Sequence, residues 1–188
     1  MVRENRVVAS LLLKHVSPSE WRQAIETENQ LQKRSPATAK RFAMAIRKRL
    51  ELLEPEFWRA IVDGDDELAT QVALCAALER NLLLVEFMER VMADAYATHA
   101  EKLERYYWQD FIAESALRDP ALEDWKESTK KKMGQVVMRM LAETGYIATT
   151  RSLKLQHVSV RPELRAMLED TYRHRIKKCM EVSYKGGR

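Results

Sequence analysis

Lys33, Arg34, Lys40, Arg41, Arg47, Lys48 and Arg49 all fall between Asn29 and Leu50, a stretch that contains no acid. Cations at this density can displace counterions from a polyphosphate, and an arginine or amide among them can form the paired hydrogen bonds that read a base edge. A second set follows near the C-terminus: Lys131, Lys132, Gln135 and Arg139, with Arg151 and Lys154 beyond. Arg41, Gln135 and Arg139 are the candidates for base contact. Lys33, Lys40, Lys48, Lys131 and Lys132 suit phosphates, and Arg34 and Arg47 complete the first set. Ser35, Thr38, Ser128 and Thr129 stand where helices are predicted to start, so their hydroxyls could meet phosphate or simply cap a helix. Few Asn or Gln accompany these cations, so weak sequence preference is expected.

No other chemistry is written into the chain. His15, His99, His157 and His174 are scattered without metal-ligand spacing, and no nucleophile elbow, phosphate loop or dinucleotide fingerprint occurs. Asp65-Asp66 and Glu123-Asp124 read as turn or helix-start residues. Tyr106, Tyr107 and Trp108 could stack on unpaired bases, but burial against neighbouring helices is the favoured reading. The expectation is a non-enzymatic protein with no catalytic residues, metal, cofactor or small-molecule substrate.

The charge is segregated along the chain. Residues 1–50 hold 11 Lys/Arg against 4 Asp/Glu, residues 51–124 hold 6 against 18, and residues 125–188 hold 15 against 6, beneath a net charge of only +4. Clustered like charge destabilises a compact chain, so basic surfaces facing a polyanion are expected on either side of an acidic scaffold. Cys75 and Cys179 lie within helical patterns, without disulfide or metal spacing, which suggests a reducing compartment. The apolar stretch Val7 to Leu13 is short for an export signal, and no later run could span a bilayer. A soluble, cytoplasmic protein is the expectation, with no membrane partner.

Few glycines and prolines favour helices. Ser17-Pro18 opens the first clear helix and Ser35-Pro36 repeats the signal. From Pro36 to about Leu53, the residues Ala39, Phe42, Ala43, Ile46, Leu50 and Leu53 define a buried stripe, with Lys40, Arg41, Met44, Arg47 and Lys48 opposite. The polar connection from Gln30 to Ser35 gives a helix-turn-helix reading. After Asp63-Gly64-Asp65-Asp66, the apolar stretch Leu68 to Ala97 predicts a long central helix, or a pair interrupted near Asn81. Ser128 or Thr129 starts a helix to Thr144, with Met133, Val136, Val137, Met140 and Leu141 inward. Tyr146 to Ala148 and Leu153 to Val158 read as a two-stranded wing carrying Arg151 and Lys154. Pro162 opens a final helix whose end (Arg173, His174, Arg175, Lys177, Lys178) could complement the helix dipole or touch phosphate. The two basic helices align weakly at an offset of 91 residues, no better than many amphipathic helices would.

The runs Leu31 to Arg41, Ala73-Leu74-Cys75, Ser128 to Lys132 and Gly145-Tyr146-Ile147 resemble the BrxA proteins of bacterial BREX phage-exclusion systems. The resemblance covers nearly the whole chain. It implies a small helical protein, likened to a transcription antitermination factor, that binds double-stranded DNA through helix-turn-helix and winged elements. The family has also been described as inner-membrane, for which this sequence offers no support. The predicted fold is mainly α, a multi-helix protein: an N-terminal helix-turn-helix-like unit (1–54), an acidic helical core (55–105), and a C-terminal winged-helix-like unit with a short β-hairpin and terminal helix (106–188). Two alternatives to DNA binding stay open: an RNA-binding, antitermination-like module, or a protein-protein adaptor that docks other BREX proteins.

Overall fold

The computed structural model describes residues 2–184. They form two compact units: one runs to Asn81 and takes in Arg161–Arg173, and the other holds Leu82–Val160 with the segment from His174. The end of the predicted region 106–188 lies outside the described residues.

The first unit begins with α1 (Val2–Leu13), which buries Val8, Ala9 and Leu11 and occupies the stretch considered above only as an export signal. Next comes α2 (Pro18–Arg22). Ser17 caps it by accepting from the Glu20 amide while the Glu20 carboxylate accepts from the Ser17 amide, and the helix runs straight into a π-helical turn, Gln23–Thr27. Residues 28–35 then separate it from α3 (Pro36–Leu50), a longer connection than the tight turn of a helix-turn-helix. Asn29 organises this segment, its side-chain amide bonding both the amide and the carbonyl of Lys33 at 2.9 and 2.8 Å. After α4 (Pro55–Asp63), Asp65 caps α5 (Asp66–Arg80), which packs against α1, α3 and α4 and buries residues on nearly every side.

Two arginines hold α10 (Pro162–Asp170) in this unit. Arg161 pairs with Asp65 at 2.6 Å, while its amide donates to Gln71. Arg173 pairs with Glu54 at 2.7 Å and Glu79 at 2.8 Å, its guanidinium lying over the Phe57 ring. The predicted single terminal helix is therefore two. It breaks at Thr171 to Arg173, where Tyr172 adopts φ 57, and α11 (His174–Met180) belongs to the second unit. Arg173 and Arg175 are engaged by carboxylates, Arg175 by Glu89 at 2.7 Å, rather than offered to phosphate.

In the second unit, α6 (Leu82–Phe87), a π-helical turn (Met88–Met92) and α7 (Ala93–Ala97) form one helical run. Of the two expectations for the apolar middle, the pair is the one that forms: the helix breaks at Asn81 and its halves serve different units. Then come α8 (Tyr107–Ala116), a 3-10 turn capped by Asp119, and α9 (Glu127–Glu143). Phe87, Trp108 and Phe111 cluster with ring centroids 5.3 to 5.7 Å apart. Tyr146 is fully buried and its hydroxyl donates to the Met180 carbonyl; burial raises its pKa. Gly145, at φ 84, supplies the left-handed residue that ends α9.

The predicted wing does not form. Among the described residues there is no strand, only the isolated antiparallel bridges Ile147 to Leu155 and Lys102 to Lys154. The β-prone run after residue 152 is divided between two neighbours: Ala148 and Gln156 bond across to Lys154 and Tyr146, while Leu103 and Leu155 bond with Leu153 and Glu101. Leu153 sits at φ 53 and Tyr146 and Ile147 are drawn wholly into the core, so neither pairing extends into a ladder. The fold is all-α, without a hairpin among the described residues.

Candidate nucleic-acid interface

In the first unit, α3 buries Ala39, Ala43, Ile46 and Leu50. Ser35 caps it, accepting from the Thr38 amide at 3.3 Å and donating to the Thr38 hydroxyl at 3.0 Å, so both hydroxyls are engaged at the helix start. Several of the cations are engaged as well. Lys33 pairs with Glu4 at 2.7 Å and lies 4.8 Å from the Phe42 ring centre. Burial pushes the Glu4 carboxyl up, but hydrogen bonds from Lys33 and the backbone, with the Lys33 charge, outweigh it and hold its pKa below the usual 4.5. Arg47 pairs with Glu51 at 2.7 Å and covers the Trp21 ring, and Lys40 lies 3.6 Å from Glu26.

Arg34, Arg41 and Lys48 remain exposed and, among the described residues, in no ion pair. Ala37 and Ala45 are exposed beside them, where small side chains let a helix approach a partner closely. Phe42 is not part of the buried stripe: it is 42 % exposed, with Lys33 and Arg41 over its ring. One cationic pair escaped the sequence reading because its members lie far apart in the chain. Arg49, half-buried, faces Arg80 from the acidic block, and burial together with the Arg80 charge lowers its pKa. Arg80 donates to the Lys48 carbonyl at 3.5 Å.

In the second unit, α9 starts at Glu127, so Ser128 and Thr129 lie exposed in its first turn and neither caps it. Gly134, Val137, Met140 and Leu141 face inward. Gly134 lets α8 and α9 meet: a Cβ there would stand 2.6 Å from Trp108, whose indole donates to the Lys130 carbonyl at 2.8 Å. Lys131, Lys132, Gln135 and Arg139 are exposed and, among the described residues, in no ion pair, unlike Lys130, which Glu127 holds at 3.0 Å.

Ser128, Lys131, Gln135 and Arg139 also line one wall of a groove of about 990 Å³ between α8, α9 and the 150–153 loop. Arg105 and Gln109 stand on the opposite wall, and Trp108, Ile112, Met138 and Leu153 make its floor. Arg105, missed because it precedes α8 in a stretch without helical pattern, donates to the Arg151 carbonyl at 3.5 Å. Arg151 is exposed at the turn that Thr149 and Ser152 close, and Lys154 lies 3.7 Å from Glu101. Structure thus brings α9 and Arg151 together in one unit and leaves Lys33, Ser35, Thr38 and Arg47 with internal partners in the other.

Trp108 is buried, Tyr107 half-buried and Tyr106 exposed. Cys75 and Cys179 are both free and buried, and burial raises the Cys75 thiol, the neighbouring Glu79 charge adding to it. Among the described residues no group of His, Cys, Asp or Glu is placed to hold a metal ion, and no single helix is long and apolar enough to cross a membrane.

Comparison with known proteins matches residues 1–171 to the family BrxA. The chain is 36% identical over 180 residues to the BREX protein BrxA of Paramagnetospirillum magneticum, covering 96% of this chain and 90% of that one. It is 35% identical over 169 residues to the BREX protein BrxA of Escherichia coli O9:H4, covering 90% and 79%. A crystal structure of an uncharacterized protein from Magnetospirillum magneticum superimposes with a TM-score of 0.89 at 34% identity, over 97% of this chain and 93% of the other.

Proposed function

We propose that this protein, which belongs to the BrxA family and is a component of BREX phage defence, acts there by binding duplex DNA without catalysis. The observation that carries this reading is α9, on which Lys131, Lys132, Gln135 and Arg139 are exposed and free of ion pairs among the described residues, within a protein that pairs many of its other cations. An unpaired cation has no internal bond to give up when it meets a phosphate, so counterion release favours binding in full. Gln135 and Arg139 can form paired hydrogen bonds with base edges, while Lys131 and Lys132 bind phosphate. An α-helix fits the roughly 12 Å major groove of B-DNA, whereas the major groove of A-form RNA is too narrow to admit one. In the other unit, Arg34 just before α3 and Arg41 and Lys48 on it add phosphate contacts, and the Arg49 and Arg80 pair gains relief of its mutual repulsion when an anion binds. Phosphate contacts outnumber base readers, which agrees with weak sequence preference.

The test is fluorescence anisotropy with a labelled duplex, an unrelated duplex, a single strand and an RNA hairpin across a salt series. Both duplexes are expected to bind with similar affinity and a steep loss with salt. Charge reversal at Lys131 and Lys132 should weaken duplex binding at least tenfold. Unchanged affinity and salt slope in that variant would remove the DNA reading, and tighter binding to the RNA would replace it.

A further inference from the structure

The groove between α8 and α9 has a composition that phosphate binding alone does not require. Its floor is aliphatic, made by Ile112, Met138 and Leu153 beside the edge of Trp108. Its rim is cationic: Arg105, Lys131 and Arg139 carry no carboxylate partner among the described residues, and the acid in the lining, Glu127, is already paired with Lys130. Bare phosphodiester would leave that floor exposed to water, and the Trp108 ring, 6% exposed, offers no face on which a base could stack. An aliphatic trough bordered by positive charge instead matches the inverse pattern, apolar anchors at i, i+3 or i+4, and i+7 on one side of a helix with carboxylates at its flanks. The volume, about 990 Å³, holds two or three such anchors.

We propose that this groove docks an acidic amphipathic helix from another BREX protein, the class of partner that family membership supplies. Lys131 and Arg139 stand both on the groove wall and on the DNA-facing side of α9, so the docked segment and duplex DNA compete for them. The partner helix acts as an anionic substitute for DNA, and its release frees α9. The competition rests on the DNA reading, whereas the docking does not, because the groove and its charge exist whether or not duplex is the ligand.

The experiment places a photo-crosslinking residue at Gln109, on the wall away from the DNA-facing side, in full-length protein co-expressed with the other BREX components and treated with nuclease. The crosslinked peptide is identified by mass spectrometry. An acidic, leucine-bearing segment of another BREX protein is expected, and Ala113→Trp, which fills the groove from an exposed position, should abolish the crosslink while changing duplex affinity less than twofold. A synthetic peptide of the captured segment should compete with labelled duplex for the parent protein. A crosslink to nucleic acid, to a second copy of this chain or to a basic segment would overturn the proposal, as would a crosslink that survives Ala113→Trp. Loss of duplex binding in Lys131→Glu/Lys132→Glu, measured separately, reports on the DNA reading alone.

Discussion

Helices α3 and α9 share a design and differ in what surrounds their charges. Each buries one stripe of small and aliphatic residues and turns cations outward, and each sits in its own compact unit. Around α3, Glu4, Glu26 and Glu51 approach the cations, and Trp21 and Phe42 lie against them. Along α9, Lys130 alone is paired among the described residues; Lys131 and Arg139 stand at the edge of a groove, and Lys132 is exposed outside its lining. By number alone α3, with five Lys and Arg against four on α9, looks the stronger. The difference lies in availability: an ion pair must be broken before its cation can serve a phosphate, which costs up to about 1 kcal/mol even at the surface.

That contrast is broken most directly by removing the free cations. Lys131→Ala/Lys132→Ala/Arg139→Ala is expected to lower duplex affinity by one to two orders of magnitude and to flatten the log-log salt slope by about 0.9 for each phosphate no longer neutralised, as a titration across salt concentrations would read. Gly134→Ala acts through the scaffold. The added methyl meets Trp108 at 2.6 Å, so overpacking should cost about 1–3 kcal/mol and lower the melting temperature by several degrees in a thermal scan. An unchanged melting temperature would mean that α8 and α9 adapt freely.

On the α3 side, Arg41→Ala/Lys48→Ala should reduce affinity only several-fold, and an effect as large as that of the α9 triple variant would erase the distinction between the helices. The smallest effect tests the cause. Glu4→Gln releases Lys33 and is expected to raise duplex affinity up to about twofold. It should also cost less than about 1 kcal/mol of stability near neutral pH. Because the Glu4 pKa is lowered in the folded protein, its contribution is present above the ordinary value of 4.5 and disappears as pH falls through the folded pKa, so denaturation curves of the two proteins should converge in acid.

Particular residues show which parts of the fold and site were legible in sequence. Ser17-Pro18 and Ser35-Pro36 mark helix starts because a side-chain acceptor followed by a fixed φ acts locally. Val137, Met140 and Leu141 of the α9 stripe were readable from its period, whereas Met133 and Val136 are only half-buried and Gly134 takes the place against Trp108. Phe42 was misplaced because the period gives a direction around the helix but not the width of the neighbour that covers it. The β-prone runs after Gly145 misled because strand propensity describes a fit to a partner, and here the partner was split between residues 101–103 and 146–148. Arg173 read as a dipole or phosphate contact, yet Glu54 and Glu79, far earlier in the chain, claim it.

By itself the sequence determined the helical class, the caps at Ser17 and Ser35 and which helix faces carry positive charge, all properties set within a few residues of one another. Tertiary structure decided which of those charges are free. It set Glu4 against Lys33, Trp21 against Arg47, and Arg80 beside Arg49, and it brought α8 onto α9 where Gly134 meets Trp108. The reason is physical: the position of a charge on a helix follows from a local period of about 3.6 residues, whereas its pairing depends on groups that only the folded chain brings within a few ångströms.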